Sequence, residues 1–129
     1  MPLQPGITQP KNTIRMLRGT NKTFLLSVTD EEGERVDLAG ARIIFSVKRA
    51  LDDEHTVIQK DSQKGAAQVE ILTPTKGGQA NIYLAPSDTN TLDVREYVFD
   101  VWAVLSSGKR YAVIPPSILE LEAGVTVIT

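Results

Sequence analysis

The stretch 88-DTNTLDVREYVFDVWAV-104 decides the fold. From Glu96 onward its residues alternate. Tyr97, Phe99, Val101 and Ala103 fall on one side, and Val98, Asp100, Trp102 and Val104 on the other. That is the two-residue period of a β-strand, with one face for a core and one face left over. The same seventeen residues carry four carboxylates, Asp88, Asp93, Glu96 and Asp100, which raises the question of a reactive site. Glu96 and Asp100 share a face two steps apart along the strand, about 13 Å from end to end. Such a gap is too wide for a carboxylate pair acting on one bond, and too wide for two ligands of one ion.

Tyr97 stands four residues after Asp93 and two before Phe99. In immunoglobulin-like sandwiches a tyrosine at the start of strand F returns its hydroxyl to the backbone upstream, and a core half-cystine follows two residues later. Phe99 then takes the half-cystine position and fills the core without a covalent bond, while Asp93 braces the corner. The opposite face pairs Trp102 with Val98 and Val104. A tryptophan between two valines on a solvent face predicts a contact surface. The competing expectation is that a loop or the N-terminal arm of the same chain covers Trp102.

Outward from this strand, short alternating runs follow one another between turn residues. Thr13 to Leu17 reads as a first strand. In NKTFLLSVT, Phe24, Leu26 and Val28 share a face, and in ARIIFSVKR so do Ile43, Phe45 and Val47. Thr56 to Asp61 and Ala66 to Leu72 flank a turn at Gly65. QANIYLA puts Ala80, Ile82 and Leu84 together, and SDTNTL predicts one helical turn in which Ser87 or Asp88 caps the N–H groups that follow. RYAVI, ILELE and GVTVIT close the chain, with Pro115-Pro116 tolerated only at an edge or bend. About eight or nine short strands without a long helix predict an all-β fold, an antiparallel immunoglobulin-like β-sandwich, with a closed barrel as the alternative. Residues 13–129 form that domain. Residues 1–12, with Pro2, Pro5 and Pro10, read as an extended arm lying along a neighbouring subunit.

Composition bounds the function. The chain has 129 residues, one domain's worth, with 41% hydrophobic and 23% charged residues. A net charge of −2 argues against a nucleic-acid surface, and KRY at 109–111 is the sole basic-aromatic run. No apolar run reaches membrane-spanning length. With no cysteine, thiolate metal sites and disulfides are excluded. His55, the single histidine, sits among Asp52, Asp53 and Glu54 in a run expected to be a solvated loop. Asp30, Glu31, Glu32 and Glu34 lack the spacing of a calcium loop. No cofactor, metal or catalytic residue is expected. The expected contact residues are Pro2, Pro5, Pro10, Val98, Trp102 and Val104.

Three stretches carry a family resemblance. VDLAGARIIFSVKR resembles a D-L-x-G-A-x-x-x-F-x-V-K pattern, GQANIYLAPSDTNTL a G-x-x-x-x-x-L-x-x-x-D-T-x-x-L segment, and REYVFDVWAVLSSGK an aromatic strand ending in a glycine hairpin. Together, from about residue 20 onward, they resemble the immunoglobulin-like N-terminal domain of siphophage baseplate upper proteins and related phage tail and virion proteins. The matching positions are Asp37, Leu38, Gly40, Phe45, Asp88, Thr89, Leu92, Tyr97 and Asp100. The resemblance implies a non-enzymatic structural protein of the virion, assembled in the bacterial cytoplasm. It would pack against copies of itself and other virion proteins, in a tail, baseplate or head–tail position. A capsid decoration protein, or a carbohydrate-binding module using Trp102 and Tyr83, is the alternative. The chain departs from the family by ending at Thr129, without the helical and receptor-anchoring regions that follow in baseplate upper proteins.

Overall fold

Two sheets face each other across one apolar interior in the computed structural model, which describes residues 13–128. In chain order the strands are β1 (Thr13–Leu17), β2 (Lys22–Ser27), β3 (Arg42–Lys48), β4 (Ile58–Asp61), β5 (Val69–Ile71), β6 (Gln79–Leu84), β7 (Glu96–Val104) and β8 (Arg110–Glu122). One short helix, α1 (Pro86–Thr89), sits between β6 and β7. The larger sheet has the order β1-β8-β7-β3-β4 and the smaller β2-β6-β5. With β2 to β8 taken as B, C, C′, D, E, F and G, the sheets are C′-C-F-G and B-E-D, the arrangement of an immunoglobulin-like sandwich. The protein is therefore an all-β sandwich.

The two-residue period explains the core. Ile43, Phe45 and Val47 of β3, Tyr97, Phe99, Val101 and Ala103 of β7, and Ala80, Ile82 and Leu84 of β6 are all buried. Where antibody domains place a cystine and a tryptophan, three rings run across the interior. Phe24 lies 6.1 Å from Phe45, and Phe45 lies 5.7 Å from Phe99, all tilted. Removing a ring fully from water, as for Phe45 and Phe99, is worth about 1.5–3 kcal/mol; Phe24 is only partly buried. The corner at the start of β7 is closed as expected: the Tyr97 hydroxyl donates to the main-chain oxygen of Asp93 at 2.6 Å.

Elsewhere the structure corrects the expectation. The ladders are antiparallel except one, because β1 lies parallel to β8 from Thr13 opposite Ile118 to Leu17 opposite Glu122. RYAVI and ILELE are one strand. β8 carries an extra residue between the partners of Phe99 and Val101, and another between those of Val101 and Trp102. The first of these absorbs Pro115-Pro116 within the strand, since a bulged residue need not donate to the ladder. GVTVIT forms no strand over its described residues, and Val125, Val127 and Ile128 are exposed. β4 and β5 are shorter than expected, with a 3₁₀ turn at Ser62–Lys64 between them. In α1 the cap runs backwards: Asp88 accepts from the N–H of Ala85 at 2.7 Å, three residues earlier.

Candidate functional site

The outer face of the larger sheet is built on β7, its central strand. Val98, Asp100, Trp102 and Val104 point away from the core because their neighbours in sequence point into it. The register then sets their company. Trp102 lies between Ile44 of β3 and Ala112 of β8; Val98 lies between Lys48 and Ile118; Val104 lies between Arg42 and Arg110. Trp102 is 40% exposed, and its indole N–H donates to the Asp100 carboxylate at 3.0 Å, which fixes the ring along the strand. Ala112 leaves room beside it. Within the described residues no loop closes over the ring; the N-terminal arm, the other expected cover, lies outside them. Asp100 separates the ring from Val98 along the strand.

A shallow hollow adjoins it. Ser46, Lys48, Leu51, Val98, Phe99, Asp100 and Pro116 line it. Leu51, 66% exposed, and Pro116 form its apolar rim. Neither was legible as a site residue in the sequence: Leu51 comes from a turn after β3, and the bulge in β8 turns Pro116 to this face. The expected contact residues Val98, Trp102 and Val104 thus share one face. Pro2, Pro5 and Pro10 lie outside the described residues.

Charge is distributed unevenly along the face. At the Glu96 end, Glu96 stands opposite Glu120, which is held by Arg15 at 2.8 Å. At the Val104 end stand Arg42 and Arg110. Arg42 is committed to Asp61, with contacts of 2.6 and 3.1 Å. Asp61 is buried, and the guanidinium beside it holds its carboxyl below the usual aspartate range, helped by the N–H of Gln63.

Several residues of the three motif stretches brace turns or fill the core. Asp37 accepts from the N–H of Ala39 at 3.0 Å, and that bond, with the Thr75 hydroxyl, lowers its pKa. Leu38 is in the core, and Gly40 takes a φ of 70°. Asp88 binds the ammonium of Lys60 at 2.9 Å; the Thr89 hydroxyl accepts from the N–H of Gly19 at 2.8 Å. The carboxylate of Asp30 accepts from the N–H groups of Glu32 and Glu34, closing its own turn. His55 is exposed. Among the described residues no three His, Asp or Glu side chains group so that they could hold a metal ion. Tyr83 lies on the outer face of the smaller sheet, its hydroxyl donating to Glu70 at 2.6 Å, which raises its pKa. Trp102 and Tyr83 therefore face opposite ways and form no joint platform for one glycan.

No family model matches the chain, and no curated protein does. Among solved structures it is similar to the crystal structure of CopC from Methylosinus trichosporium OB3b, at 14% identity, with 92% of each chain covered and a TM-score of 0.49.

Proposed function

We propose that the chain is a non-enzymatic structural subunit of a bacteriophage particle, of its tail or baseplate, held in place by packing of the Trp102 face against neighbouring subunits. One observation carries the reading: the outer face of the larger sheet and its rim present Trp102, Ile44, Val98, Leu51 and Pro116 to the outside while the core behind it is already complete. Apolar side chains in that arrangement contribute nothing to the fold that a polar residue would not, whereas buried between subunits they supply association energy. The phage assignment rests on the resemblance carried by the three motif stretches.

The test is made on particles. In purified virions from a lysogen carrying this gene, mass spectrometry is expected to find the chain. A density map is expected to show its Trp102 face covered by a neighbour. With Trp102→Arg the folded protein should be present in the lysate and depleted from particles. Absence of the wild-type chain from particles, or a Trp102 face open to solvent within them, overturns the reading.

A further inference from the structure

We propose that the outer face of the larger sheet pairs with the same face of a second copy. The two-fold axis would lie between the sheets and run across the strands at the level of Asp100. The inference rests on reading that face as a contact surface, and it names the occupant.

Shape and charge each point to this axis. Along β7, Trp102 and Val98 stand at equal distances on either side of Asp100. A two-fold crossing the strands there reverses strand direction and lays Trp102 of one copy over Val98 of the other. There the hollow rimmed by Leu51 and Pro116 receives it. The same operation repeats the contact in reverse, so one knob and one hollow per copy are both used, as a two-fold interface requires.

Charge separates this axis from its rival. A two-fold running along β7 would set Glu96 of one copy on Glu96 of the other and lay Arg42 of one over Arg110 of the other. The crossing two-fold instead sets the Glu96 end of each copy against the Arg110 end of the other. Like-charge juxtaposition across an interface costs several kcal/mol, enough to decide between two otherwise similar packings. The axis does bring the two Asp100 carboxylates towards each other. Each is already held by the Trp102 indole, and Lys48, which shares the hollow with it, supplies the counter-charge. Five strands by the length of β7 give a footprint on the order of 500 Å² per copy, which places the pairing in the weak, reversible class.

The experiment is sedimentation of the full-length chain up to concentrations on the order of 100 μM, with charge reversal at exposed positions. Wild type is expected to dimerise reversibly. Because Trp102 is the chain's only tryptophan, its emission should move to shorter wavelength as the dimer forms. Arg110→Glu and Glu96→Arg should each weaken dimerisation at least about tenfold, and an equimolar mixture of the two should recover it as a heterodimer. A monomeric wild type, single variants that dimerise normally, or a mixture that stays monomeric overturns the proposal. The two readings fail separately. A monomer that still enters particles through Trp102 removes self-pairing alone, while a dimer absent from particles removes the phage assignment alone.

Discussion

The Tyr97 hydroxyl sits 2.6 Å from the main-chain oxygen of Asp93, tying the first turn of β7 to the loop that feeds it. Burial raises the phenol pKa, so the group stays a neutral donor. The Asp93 side chain points elsewhere, to Arg49 at 3.2 Å in solvent. The brace is therefore Tyr97 acting on backbone, and the aspartate side chain is secondary to it. Tyr97→Phe keeps the ring and deletes the bond. It should lower unfolding free energy by about 1–1.5 kcal/mol, read by urea denaturation, with circular dichroism unchanged. Asp93→Ala should cost less, because the surface ion pair it removes is worth little.

Gly78 ends the 3₁₀ turn of residues 75–77 with a φ of 67°. A Cβ there would stand 2.8 Å from the carbonyl oxygen of Val28 and 2.9 Å from that of Val36. Both are backbone atoms fixed by the bond from the N–H of Val36 to Val28 and by that from Val28 to Gly78 itself. Gly78→Ala should destabilise by at least about 2 kcal/mol, combining left-handed strain with a clash that cannot relax. Gly33→Ala, at a similar φ of 79° but with no atom near, should cost only the conformational part. The difference between the two variants in thermal melts isolates the clash.

These cases mark what the sequence makes legible. Alternation in ARIIFSVKR and EYVFDVWAV exposes which side chains meet the core, because burial follows a two-residue period that needs no knowledge of partners. The tyrosine corner is legible for a similar reason: its bond spans only four residues. What stays hidden is non-local. β1 runs parallel to β8 across a hundred residues of chain, and Lys60 of β4 answers Asp88 of α1. GVTVIT has the composition of a strand but pairs with none over its described residues. The hollow beside Trp102 needs Leu51 and Pro116, which only the registers of β7 with β3 and with β8 bring to one place.

Asp61 makes stability pH-dependent on the acid side. Its carboxyl is buried, bound by Arg42 and by the N–H of Gln63, and lies below the ordinary value of 3.8. A depressed folded-state pKa means the unfolded chain takes up the proton first as pH falls. The contribution is thus whole above the unfolded value, shrinks from about pH 4 downward, and is gone below the folded-state pKa. Asp61→Asn should lose about 1–3 kcal/mol at neutral pH. The gap between wild type and variant should narrow as the pH of the denaturation series is lowered through that window. An equal gap at every pH would separate the effect from the ion pair.

Phe99 and Trp102 stand three residues apart on the same strand and should answer to different measurements. Phe99 packs on Phe45 in a filled interior, so Phe99→Ala opens a cavity and should cost about 3–5 kcal/mol. Trp102 touches Ile44 and Ala112 on the outside, and its indole N–H already has Asp100 as partner. Trp102→Ala should shift stability by less than about 1 kcal/mol and leave the circular dichroism intact, while association with a second copy, or retention in particles, falls steeply. The reverse outcome, a strongly destabilised but still associating Trp102→Ala, would move the tryptophan from the contact face into the fold.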